Sequence, residues 1–78
     1  MFNKIRENTY ISLIRKYSAM ENGIDKWYNF AGLKNKARKD LRKDRISKKF
    51  FCSVFNTPNN DSYHYAEVNA EYIKNYEF

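Results

Sequence analysis

The chain has 78 residues, a formal net charge of +6 and an aromatic content of 18%, so we expect one small domain spanning residues 1–78. Its only cysteine, Cys52, and its only histidine, His64, exclude an internal disulfide and a structural zinc site of Cys and His ligands. We therefore expect no metal and no other cofactor. We also expect a cytoplasmic location, because the N-terminus lacks the apolar run of a secretory signal and no apolar stretch could span a membrane.

Residues 3–21 have the spacing of an amphipathic helix. Apolar side chains recur there at three- and four-residue steps, and Asn22-Gly23 supplies the left-handed conformation that commonly ends a helix. The predicted core stripe consists of Phe2, Ile5, Thr9, Leu13, Tyr17 and Met20, with Tyr10 beside it.

A second helix is predicted from Lys26 to about Asp44, with Asp25 as its N-cap. Gly32 weakens its middle by about 1 kcal/mol relative to Ala. At about 100° per residue, Ile46 would point away from the apolar strip, and we therefore end the helix before it. The strip predicted to face the core consists of Phe30, Leu33, Ala37 and Leu41, with Trp27 at its edge.

The second half of the chain changes character. Residues 50–55 form a short aromatic and β-branched run that predicts a strand. Residues 56–61, which include Pro58, are typical of a turn, and Tyr63 and Tyr65 alternate as in a return strand. The fold prediction is therefore α+β, with two N-terminal helices, a short β-hairpin and a C-terminal helix in one small domain.

A competing interpretation replaces the return strand by a helix capped at Asp61 or Ser62. Tyr65, Val68 and Tyr72 also lie at helical steps. The acidic and Ala residues that follow favour a helix from about residue 66 onward in either case.

Charge is distributed unevenly along the chain. Residues 34–49 hold nine Lys or Arg against two Asp, a net +7, whereas residues 50–78 hold one Lys against four acids, a net −3. A cluster of like charges repels itself and lowers stability, which favours a function for it. A solvated helix face is the alternative, although such faces usually mix Glu with Lys. Attraction to a membrane surface is a weaker option, because the narrow apolar strip is needed for the core.

Catalytic motifs are nearly absent from the sequence. His64 lies between two tyrosines beside a turn, where a lone histidine usually makes one hydrogen bond rather than transferring protons. The chain contains no phosphate-binding Gly-rich loop and no nucleophile elbow. We therefore expect a binding protein rather than an enzyme.

The basic cluster suits phosphate groups, because Lys offers a point charge and Arg a bidentate fork along a rigid helix. This pattern predicts a small nucleic-acid-binding protein, regulatory or accessory, for DNA or RNA. The predicted phosphate-binding residues are Lys34, Arg38, Lys39, Arg42, Lys43, Arg45 and Lys49.

The alternative function is that of an inhibitor or adaptor that docks on a host nucleic-acid-processing machine. Asn, Lys, Ile, Tyr and Phe make up half the chain, a residue set that A/T-rich codons favour and that suggests a phage-like origin. Such a protein would use the same basic helix together with a Tyr-rich, acidic C-terminal surface. The predicted protein-binding residues are Tyr63, Tyr65, Tyr72 and Tyr76.

Overall fold

The computed structural model describes residues 4–20, 24–55 and 68–78, and all regular secondary structure in these ranges is helical. Helix α1 packs on α2, α2 packs on α3, and the short α4 contacts both α1 and α3. None of the helices in the described ranges is long and apolar enough to cross a membrane. Their bounds are α1 Lys4–Ser18, α2 Ile24–Arg42, α3 Lys48–Phe55 and α4 Ala70–Asn75.

The α+β prediction is wrong, because residues 50–55 belong to α3 and the described ranges contain no strand or hairpin. The side chains of Phe50 and Phe51 are each followed four residues later by another apolar side chain, and this spacing places all four on one buried helical face. Burial of this face against α1 and α2 overrides the β-propensity of Phe and Val, which depends strongly on context. Ser47 begins the helix, since its Oγ accepts a hydrogen bond from the Phe50 N–H at 3.0 Å.

The rest of the predicted hairpin, namely the turn at 56–61 and the return strand with Tyr63 and Tyr65, lies outside the described residues. The C-terminal helix is confirmed over Ala70–Asn75, four residues later than predicted. Asn69 determines where it begins, because its Oδ1 accepts a hydrogen bond from the Tyr72 N–H at 3.2 Å.

Helix α1 is confirmed, but its buried face differs from the predicted stripe. Tyr10, Ile11 and Ile14 are buried, whereas Ile5 is 77% exposed. The true core face lies one residue further along the chain, a rotation of about 100°. The spacing of apolar residues did not predict this buried face, because a charged residue belongs to it: Arg6, one turn before Tyr10, faces the protein and pairs with Asp40.

Helix α2 buries the strip that the sequence predicted, with Leu33 and Ala37 in the core and Phe30 and Leu41 packed against it. The prediction that Ile46 points away from the core is wrong, because Ile46 is fully buried. The helix has already ended at Arg42, and the chain reverses direction before reaching Ile46.

The reversal after α2 is a Schellman motif. Asp44 has a φ of 57°, in the left-handed region. The N–H of Arg45 donates to the carbonyl oxygen of Asp40 at 2.9 Å, and the N–H of Asp44 donates to that of Leu41 at 3.2 Å. These are the two backbone bonds that define the motif, and they direct the chain from α2 into α3 within five residues, 43–47.

Candidate functional site

The most basic part of the surface lies where α2 ends and α3 begins. The two helices are joined by only five residues, so the cations at the end of one helix lie close to those at the start of the next. Asp44 is the one exposed acid among them. We call this surface the basic corner; its exposed members are Lys39, Arg42, Lys43, Arg45, Lys48 and Lys49.

The structure brings together five of the seven predicted phosphate-binding residues in the basic corner and separates the other two from it. Lys34 is 1% exposed, because it lies between Leu33 and Ala37 within the buried arc of α2. Arg38 is half-buried. We therefore leave Lys34 and Arg38 out of the exposed site.

Sequence reasoning missed Lys48 as a site residue. Lys48 and Lys49 occupy the first turn of α3, whereas the sequence prediction ends the second helix near Asp44, begins a strand at Phe50 and assigns no element to residues 45–49. The Ser at position 47, three residues before a buried Phe, is the signal of a helix N-cap that could have located them.

The α3 side of the basic corner places positive charge where helix electrostatics disfavour it, whereas Lys39 and Arg42 lie in the last turn of α2, where the helix dipole favours cations. The N-terminus of a helix carries a partial positive charge, which acidic side chains usually neutralise. The first turn of α3 contains no acid and two lysines, and each opposes the helix dipole by roughly 0.3–1 kcal/mol. Side chains and backbone dipoles together therefore make this corner attractive to anions.

Asp40 connects the corner to the rest of the protein. Its side chain is 5% exposed and accepts a hydrogen bond from the Tyr10 hydroxyl. Its two oxygens also pair with the guanidinium groups of Arg6 at 3.4 Å and Arg45 at 3.5 Å. Asp40 thereby joins α1, α2 and the turn, and holds Arg45 at the edge of the corner.

The surroundings of Asp40 keep it ionised. Burial alone would raise the pKa of this carboxyl group, but the Tyr10 hydrogen bond and the charges of Arg6 and Arg45 outweigh burial and lower the pKa. Burial and the hydrogen bond to Asp40 raise the pKa of Tyr10, which stays protonated as the donor. Because the pKa of Asp40 is lowered on folding, its ionised carboxylate stabilises the fold at pH values above 3.8, the ordinary pKa of an Asp side chain. This stabilisation is lost as the pH falls through the folded-state pKa.

We expect Asp40→Asn to lower the free energy of unfolding at pH 7 by about 1.5–3 kcal/mol, since hydrogen bonds to a charged group are lost. Urea unfolding of the variant and the parent at pH 7 and at acid pH measures this difference, which should shrink on acidification. Asp44→Asn is the matched control, because it removes an exposed carboxylate and Asn also tolerates the left-handed conformation. If the difference between Asp40→Asn and the parent did not change with pH, the ionised carboxylate of Asp40 would not be what stabilises the fold.

Tyr72 and Tyr76, two of the four predicted protein-binding tyrosines, are half-buried around Phe50. Their ring centroids lie 6.5 and 6.2 Å from that of Phe50 in edge-to-face geometry. The Tyr76 hydroxyl donates to Asn8 Oδ1 at 3.0 Å and accepts from Lys4 Nζ at 2.6 Å. These tyrosines therefore hold α4 against α1 and α3, and much of their surface is engaged in the fold.

The other two predicted tyrosines, Tyr63 and Tyr65, lie outside the described residues, as does His64. Within the described ranges, no group of three His, Cys, Asp or Glu side chains is placed to hold a metal ion. Comparison of the chain with protein-family models, with curated proteins and with solved structures found no match.

Proposed function

We propose that the protein binds the phosphate backbone of nucleic acid through the basic corner. The observation that carries this proposal is the placement of Lys48 and Lys49 on the N-terminal turn of α3, beside four further exposed cations from α2 and the turn. This arrangement opposes the helix dipole and repels itself. Bound phosphate groups would relieve this repulsion, and binding would be favourable because each neutralised phosphate releases condensed counterions.

Arg45 and the lysines of the basic corner would contact phosphates in different ways. Arg45 is held on one side by Asp40, and its side chain is still 48% exposed, so it can offer free guanidinium N–H groups to a phosphate in a fixed direction. The lysines supply point charges around it. Contacts of this kind position a backbone and carry no base information, so we expect binding to duplex and single-stranded nucleic acid alike.

A salt titration tests this proposal. Binding of a labelled DNA duplex and a single-stranded RNA, measured by fluorescence anisotropy, should weaken linearly in log Kd against log salt. Because each contacted phosphate contributes about 0.9 to the slope on a duplex, the six cations of the corner limit its magnitude to about 5. Absence of binding to either probe at low ionic strength would reject the proposal.

An acidic groove on a nucleic-acid-processing protein is the other partner that these charges suit. In that case the corner would occupy the groove in place of a phosphate backbone, as an inhibitor or adaptor does. A protein that binds no oligonucleotide at low salt, yet loses its partner when the corner is reversed in charge, would establish this second function instead.

A further inference from the structure

Part of the stripe of α1 that the sequence predicted as core faces a groove between α1 and α2. Ile5 and Thr9 of that stripe are exposed, whereas Leu13 and Tyr17 are half-buried against the core. One part of the groove, about 220 Å³, is lined by Ile5, Thr9 and Leu13 of α1 together with Lys36 of α2. Leu13 and Lys36 also line a second part, about 290 Å³, so the two parts lie side by side along α1 and α2. We call this feature the α1–α2 groove.

The length of the groove matches a short helix. It extends along α1 from Ile5 to Tyr17, about 18 Å at 1.5 Å per residue, or a little more than three helical turns. Helical peptides that dock in grooves use apolar anchors at positions i, i+3, i+4 and i+7. These anchors span about 10 Å, so the groove is long enough to hold them.

Exposed apolar side chains concentrate along this groove. Among the described residues, four large apolar side chains are exposed, and Ile5 and Tyr28 of this set line the groove directly. Met20 is a third, and its sulfur contacts Asn29, which also lines the groove. The groove also has polar lining residues, among them Thr9, Asn29 and Lys36. Exposed apolar side chains gathered beside such a groove are typical of an interaction site.

Gly32 keeps the floor of the groove open without serving the fold. It lies inside α2, where glycine costs about 1 kcal/mol relative to Ala. Its φ is not positive, and a Cβ built on it would meet nothing within 4 Å. Neither backbone conformation nor close packing therefore requires glycine here, and its effect is to leave space in the groove.

The charges around the groove indicate the kind of partner. Lys36 lines the middle as an exposed cation, and no Asp or Glu is among the lining residues. Arg6 lines one end, where its guanidinium pairs with the buried Asp40. We propose that the α1–α2 groove binds an amphipathic α-helix of a partner protein whose apolar stripe is flanked by acidic residues that pair with Lys36. A second copy of this chain is disfavoured, because two grooves facing each other would bring Lys36 of each copy together.

This inference is independent of the proposed function, because it uses no residue of the basic corner. It can be tested with a phage-displayed library of helical peptides about 16 residues long, enough to cover the groove. Each peptide carries a fixed Leu stripe, and the flanking positions are randomised among Glu, Gln and Lys. Selection on the full chain should enrich Glu-flanked peptides.

Two variants locate the binding. Gly32→Leu fills the groove and should weaken the selected peptide at least tenfold without lowering the melting temperature, since Leu has the higher helix propensity. Lys36→Glu should shift the selection toward Lys-flanked peptides. Lys74→Glu is the control, because Lys74 is an exposed lysine on α4 that lines neither part of the groove. It should leave the affinity within about twofold, since salt screens interactions between exposed charges.

Three results would overturn the inference. They are a selection that enriches no peptide, a selection that enriches Lys-flanked peptides on the parent protein, and an affinity that Gly32→Leu leaves unchanged. Sedimentation of the protein alone completes the test: a dimer that Gly32→Leu converts into a monomer would make a second copy the occupant and would also overturn it.

Discussion

Replacing Lys48 and Lys49 together by glutamate should weaken nucleic-acid binding by roughly 10- to 100-fold and reduce the slope of log Kd against log salt by about two. The same change should leave the fold intact or slightly more stable, because it places acids at the N-terminal turn of α3, where the helix dipole favours them. Anisotropy titrations and thermal melting of the same samples measure both effects. Loss of binding together with a gain in stability would separate the function of these lysines from any structural role.

The matched control is Lys16→Glu combined with Lys74→Glu. Both lysines are exposed and lie outside the basic corner, and the double change alters the net charge by the same amount. We expect it to weaken binding only slightly, through the general field of the protein. Equal losses in the two double variants would mean that net charge, and not the basic corner, determines binding.

Arg38 and Arg45 are poor choices for the same experiment. Arg38 is half-buried, and Arg45 pairs with the buried Asp40. Glutamate at position 45 would place two carboxylates together and destabilise the turn. A loss of binding in such variants would not distinguish a damaged site from a damaged fold, whereas Lys48 and Lys49 avoid that ambiguity.

Ile14→Ala should lower the free energy of unfolding by about 2–5 kcal/mol, because Ile14 is fully buried between the helices. A domain of this size has a net stability of only about 3–5 kcal/mol, so we expect much of the variant to be unfolded at 25 °C. Circular dichroism with urea unfolding measures the effect.

Ile5→Ala provides the control on the same helix with the same chemical change. Ile5 is 77% exposed, and its truncation should alter stability by no more than about 0.5 kcal/mol. Similar losses for both variants would show that α1 faces the core through the stripe that the sequence predicted, and would also remove the basis of the α1–α2 groove.

The sequence by itself determined the first two helices and the location of the charge. The strip with Leu33 and Ala37 is a local signal, and α2 buries it as predicted. The predicted N-cap is wrong, because α2 begins at Ile24 and Asp25 lies within its first turn. The predicted helix end at Asn22-Gly23 lies outside the described residues. The +7 cluster is a property of composition, which no fold can alter. The prediction of a basic surface after the middle of α2 therefore depended little on tertiary structure.

Three features depended on the tertiary structure. A run as short as Phe50 to Phe55 fits a buried strand or a buried helix equally well by periodicity, and packing against α1 and α2 selected the helix. The face of α1 was decided by Asp40, whose partnership with Arg6 lets a charged residue face inward and leaves Ile5 outside. Lys34 was buried by its position next to Leu33, which a count of charges along the chain does not reveal. For α3 and for the face of α1, the deciding contact joins residues distant in sequence, and local patterns contain no information about such contacts.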